Sequence, residues 1–93
     1  MNNVGALLRS IGRRIAELRT AHGLTQEALA AHLDVSPGYI RQVEGGGKNL
    51  SVRSLAAFAD AVGAPVAELF AAPSSREVKR GRPKRRAKSS GAR

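Results

Sequence analysis

Two neighbouring residues near the middle of the chain, Arg41 and Gln42, carry side chains suited to reading the edges of nucleic-acid bases. A guanidinium donates two parallel hydrogen bonds and matches the O6 and N7 acceptors of guanine, while a carboxamide donates and accepts at once and matches N6 and N7 of adenine. A second group, Arg80-Gly81-Arg82, sets two cations around a residue with no side chain, an arrangement that lets backbone lie deep in a narrow anionic groove. Chemistry of other kinds has few residues to work with. Cysteine is absent, so neither a thiolate metal site nor a thiol nucleophile is available. His22 and His32 stand ten residues apart without a neighbouring ligand set, and Asp60 and Glu68 read as solvated carboxylates. No metal, cofactor or catalytic activity is expected from such an inventory.

The elements that must hold Arg41 and Gln42 are legible from Thr25 to Glu44. Thr25 is suited to cap a helix, and Leu29 and Leu33 recur on one face of it, with the small Ala30 leaving room for a close crossing. Asp34 tolerates the left-handed backbone of a tight turn. Ser36 then caps a second helix, with Pro37 in its first turn, where a missing N–H costs nothing. Ile40 and Val43 form the apolar stripe of that helix, so Tyr39, Arg41 and Gln42 point elsewhere. A helix this short is marginal alone, and its polar face is best explained by a partner such as the DNA major groove.

This segment resembles the helix-turn-helix of the phage-repressor and Cro superfamily, in its XRE-type branch. The resemblance extends through Ile11–Arg19 before it and Ser51–Gly63 after it, roughly residues 7–71, about two thirds of the chain. Within the family the chain is most similar to small one-domain regulators, including controller proteins of restriction–modification systems. The resemblance implies a recognition helix over residues 36–44 and assigns further roles where residues match. Gln26 falls at a position that hydrogen-bonds a phosphate, against the plainer reading of a solvated helix-start residue. Ser36 falls where the helix enters the groove, adding a DNA contact to its capping role. Tyr39 matches a backbone-contacting tyrosine, against a half-buried aromatic. Arg19 and Glu44 match an internal salt bridge tying helix 1 to the end of helix 3, which makes Glu44 architectural rather than a base contact. Two segments depart from the pattern. Pro37 and Gly38 replace polar base readers, which shifts direct readout to Arg41 and Gln42. Gly45-Gly46-Gly47 replaces a basic segment, which leaves phosphate contacts to Lys48, Asn49 and the backbone N–H groups of the glycines.

The rest of the chain follows helix and loop signals. Leu8, Ile11, Ile15 and Leu18 predict a first helix from about Gly5 to His22, stopped by Gly23, with Arg9, Arg13 and Arg14 along its outer side. Ser51 is the expected cap of a fourth helix carrying Leu55, Phe58, Ala59 and Val62 and ended by Gly63; Pro65 opens a last short helix ending in Leu69 and Phe70. The expected fold is all-α, a compact five-helix phage-repressor-like domain over residues 5–71, without strands or repeats. Val66, Leu69 and Phe70 are more apolar than the last turn of a small monomer requires and are expected at a homodimer surface, unless they simply close the core.

Charge separates the domain from the C-terminal segment. The chain has 93 residues and a net charge of +9. Nine basic residues against Glu77 give the segment from Arg76 onward a net +8, leaving +1 for the first 75 residues. Residues 72–93 are rich in Pro, Ser, Gly and basic residues, with Val78 the one sizeable apolar side chain, and are expected to be disordered when free. Within them Lys79–Lys84 and Arg85 resemble an AT-hook. That resemblance places Arg80 and Arg82 along the floor of a narrow A·T minor groove around Gly81, with Pro83 fixing the exit and Lys84 on phosphate; the alternative is a polycation that only releases counterions.

No apolar run reaches membrane-spanning length and the N-terminus has no signal-peptide core, so a soluble cytoplasmic, nucleoid-associated protein is expected. The expected partner is double-stranded DNA, bound by a homodimer that needs no small-molecule ligand. Two other readings remain: an antitoxin-like interaction protein with an autoregulatory helix-turn-helix, and an architectural protein coating A·T-rich DNA.

Overall fold

The computed structural model describes residues 2–74. It contains four α-helices, α1 (Val4–Ala21), α2 (Gln26–Leu33), α3 (Pro37–Glu44) and α4 (Val52–Ala61), and then a 3₁₀ segment at Val66–Phe70. No strand occurs among the described residues. The expected fifth α-helix is thus corrected to a single 3₁₀ turn. Five residues opened by Pro65 have no side-chain cap, and the amide N–H of Glu68 closes back on the Pro65 carbonyl three residues earlier. So short a segment cannot offset the cost of an α-helical nucleus and tightens instead. The tail readings at Arg80, Gly81, Arg82, Pro83 and Lys84 lie outside the described residues.

Capping is local and complete. The Thr25, Ser36 and Ser51 hydroxyls accept from the amides of Ala28, Tyr39 and Ser54 at 2.9–3.0 Å. Asn3 does the same for Ala6 at 3.0 Å and starts α1 one residue earlier than its apolar spacing predicts. All four helices end in the same paired closure, in which two backbone N–H groups turn back to carbonyls of the last turn. In α2 that closure runs through Asp34 at φ 59°, the left-handed conformation that its residue type tolerates.

Ile11 and Ile15 of α1, Leu29 and Ala30 of α2, Ile40 and Val43 of α3, and Leu55, Phe58 and Ala59 of α4 fill one core. Leu69 closes it from the 3₁₀ turn, with none of its surface exposed. That turn is fastened to α1 by Arg14, which donates to the backbone oxygen of Glu68 at 2.9 Å and to its carboxylate at 2.6 Å. These bonds, first to Glu68 and then to Glu17, hold the Arg14 guanidinium above its usual pKa.

The seat of α3 depends on Gly12. A Cβ at this position would stand 2.3 Å from the Val43 carbonyl oxygen and 2.7 Å from that of Glu44. Helix α1 therefore meets the last turn of α3 backbone to backbone. Gly12→Ala is expected to lose about 3 kcal/mol of stability, since neither carbonyl can retreat without moving α3. A urea midpoint equal to that of the unchanged protein would show that the two helices separate freely.

Candidate nucleic-acid interface

Helix α3 is amphipathic in a strict sense. Ile40 and Val43 are buried to within 1% of their surface, while Arg41 and Gln42 are exposed. Neither exposed side chain makes a hydrogen bond among the described residues, so the donors of both remain available. The Arg41 head group lies over Gly38 at the start of the helix, its Nη2 3.7 Å from where a Cβ would stand, an ordinary contact distance. Ser36 is exposed, and its oxygen is used by the Tyr39 amide, which leaves the hydroxyl proton free to donate. Tyr39 is half-buried and packs against the core, so its ring anchors α3 whatever its hydroxyl does.

Behind α3 lies a polar lock. Arg19 Nε donates to Glu44 Oε2 at 2.6 Å and its Nη2 to Oε1 at 3.2 Å, while Nη1 donates to the Leu24 carbonyl at 2.8 Å. The side chains keep 15% and 8% of their surface, so the pair is largely shielded. Gln26 joins it: its Nε2 donates to Glu44 Oε1 at 2.9 Å. The carboxylate thus collects three donors and ties the end of α1, the start of α2 and the end of α3 together. Gln26 is neither loose in solvent nor wholly free for phosphate, because one amide hydrogen is spent inside; the other hydrogen and the carbonyl remain.

The glycine loop after α3 differs from its sequence reading. The N–H groups of Gly45, Gly46 and Gly47 are donated to the carbonyls of Arg41, Val43 and Gln42 at 2.8–3.0 Å. They close the helix and are not free to meet phosphates. Lys48 and Asn49 beyond them are exposed, with no side-chain hydrogen bond among the described residues. In the 3₁₀ turn Val66 and Phe70 are 42% and 53% exposed, while Leu69 is turned wholly inward. A surface drawn from these three therefore presents Val66 and Phe70.

Two short helices crossing at a left-handed turn, the second locked from behind and bare of partners in front, define a helix-turn-helix DNA-binding domain. The chain belongs to the family described as helix-turn-helix domain, which matches residues 10–72. Among solved structures it is similar to the restriction–modification controller protein C.AhdI from Aeromonas hydrophila, with 40% identity over 70% of this chain and 98% of that one, at a TM-score of 0.65. It is also similar to the clp gene regulator ClgR from C. glutamicum, with 36% identity over 69% and 82% of the two chains and a TM-score of 0.66. The DNA-binding domain of BldD is 25% identical over 76% of this chain and the whole of that one, with a TM-score of 0.66. No curated protein matches.

Proposed function

We propose that this protein is a sequence-specific transcriptional regulator that lays α3 in the major groove, with Arg41 and Gln42 as its base readers. The observation that carries this is the division of α3 into a fully buried face and a polar face whose donors have no partner among the described residues. Gln26, Ser36, Tyr39, Lys48 and Asn49 surround that face as phosphate contacts, which set register without reading sequence. The names of the relatives, a controller protein and a gene regulator, support a regulatory output. Val66 and Phe70 supply the apolar part of a homodimer surface, and the tail adds Arg80, Gly81, Arg82, Pro83 and Lys84 as a minor-groove or phosphate contact.

Selection of the full-length protein on randomised duplex DNA tests this reading. A two-fold-symmetric motif is expected, with half-sites about one helical turn apart. On the selected site Arg41→Ala and Gln42→Ala should each cost about 1–3 kcal/mol and relax preference at individual base pairs. Uniform weakening across all sequences would make them phosphate contacts. A footprint that spreads with concentration and shows no preferred site would instead favour an architectural coat on A·T-rich DNA.

A further inference from the structure

Two of the four arginines of α1 are held by carboxylates of the described residues, Arg19 by Glu44 and Arg14 by Glu17 and Glu68. Arg9 is exposed and makes no hydrogen bond or ion pair among the described residues. Its place is nonetheless well defined. Gly46, at φ +82° in the turn that leaves α3, is pressed against it so closely that a Cβ there would lie 2.5 Å from Arg9 Cγ and 2.8 Å from its Cα. The head group runs along Gly5, where a Cβ would be 3.5 Å from Nη1. Gly46 thus makes room for the stem of this arginine, beside a loop that otherwise offers an anion little. Gly45, Gly46 and Gly47 carry no charge and spend their N–H groups on α3, so Lys48 is the first cation of the loop itself.

We propose that Arg9 is a phosphate-contacting residue, supplying from α1 the cation that the glycine loop lacks and working beside Lys48 on the DNA backbone flanking the groove. This rests on the reading of α3 as the groove-binding helix, because α3 is what brings its own exit turn against the duplex. A guanidinium fork suits phosphate oxygens, and contact with phosphate raises affinity for every sequence alike.

The test uses the full-length chain on its selected site and on unrelated duplex. Arg9→Gln is expected to weaken both about three- to tenfold near 0.15 M salt and to lower the slope of log affinity against log salt by about 0.9. Base preference and thermal midpoint should stay unchanged, and Arg9→Lys should keep the slope. Replacing single phosphates by neutral methylphosphonates should reveal one linkage whose neutralisation weakens the unchanged protein but not Arg9→Gln. An unaltered slope, or linkages that penalise both proteins equally, overturns the contact. So does a lowered thermal midpoint and lost slope in Arg9→Lys as well as Arg9→Gln, which would assign Arg9 to folding. If the unchanged protein prefers no sequence, the reading of α3 itself fails; if it does prefer one and the slope holds in Arg9→Gln, only the Arg9 contact falls.

Discussion

Glu44→Ala is expected to lower the folding stability of this protein by about 3–5 kcal/mol, the usual cost of removing one partner from a shielded ion pair. Small domains hold only about 5–15 kcal/mol in total, so the variant should be partly unfolded well below the melting temperature of the unchanged protein. The orphaned donors explain the size of the effect. Arg19 has 15% of its side-chain surface exposed and would keep only the Leu24 carbonyl as an acceptor, and Gln26 would lose its internal acceptor as well. Gln26→Ala removes one neutral donor from the same carboxylate and should cost about 1.5 kcal/mol, the low end for a hydrogen bond to a charged group. Urea unfolding of the two variants distinguishes them, with midpoints shifted and the slope of the transition retained. A loss below about 1 kcal/mol for Glu44→Ala would mean that water replaces the carboxylate, and that the lock contributes little to holding α3.

That lock also marks the boundary between what the chain discloses locally and what only packing reveals. Caps at Thr25, Ser36 and Ser51 and the left-handed turn at Asp34 depend on a few consecutive residues, whose side chains suit capping or tolerate the turn, so these were legible from the sequence. The Arg19–Glu44 pair spans 25 residues and was legible only through resemblance to a family. Gln26 is a different case. Its amide can serve solvent, phosphate or a buried carboxylate equally well, and the choice is made by the arrival of Glu44 from α3. Gly12 likewise gave no signal, because a glycine inside an amphipathic helix reads as a weak helix former until a second backbone is seen against it. The glycine loop misled for a related reason. Glycine runs can present N–H groups to an anion or return them to a helix end, and the carbonyls of α3 were nearer. Arg9 was visible as one outer-face arginine among several; its distinction is that Gly46 packs on it.

Truncation after Ser75 should produce the largest change in DNA binding, because it removes +8 of the +9 net charge while leaving α3 in place. The described chain ends at Ser74, whose amide donates to Glu17 at 3.2 Å. Glu17 lies about 140° around α1 from Gly12, the residue that meets α3, so the cut falls on the far flank of α1. Every phosphate that the tail no longer neutralises should lower the salt slope by about 0.9, and affinity for unrelated duplex should fall by roughly 100-fold or more near 0.15 M salt. Base preference read by Arg41 and Gln42 should survive. A truncated protein that keeps its non-specific affinity would show the tail to be uninvolved. From Pro73 to Arg80 is seven residues, an extended reach of roughly 23 Å, enough to carry a basic segment past the width of one helix. Whether Arg80 and Arg82 then enter a minor groove or only neutralise phosphates turns on Gly81. Gly81→Ala keeps every charge but adds a methyl group where the backbone must sit deepest. A selective loss of affinity for sites flanked by A·T tracts is expected if the two arginines lie along the groove floor, since those tracts narrow the groove and deepen its negative potential. Unchanged flank preference, with the salt slope intact, would reduce the tail to a polycation whose contribution is counterion release alone.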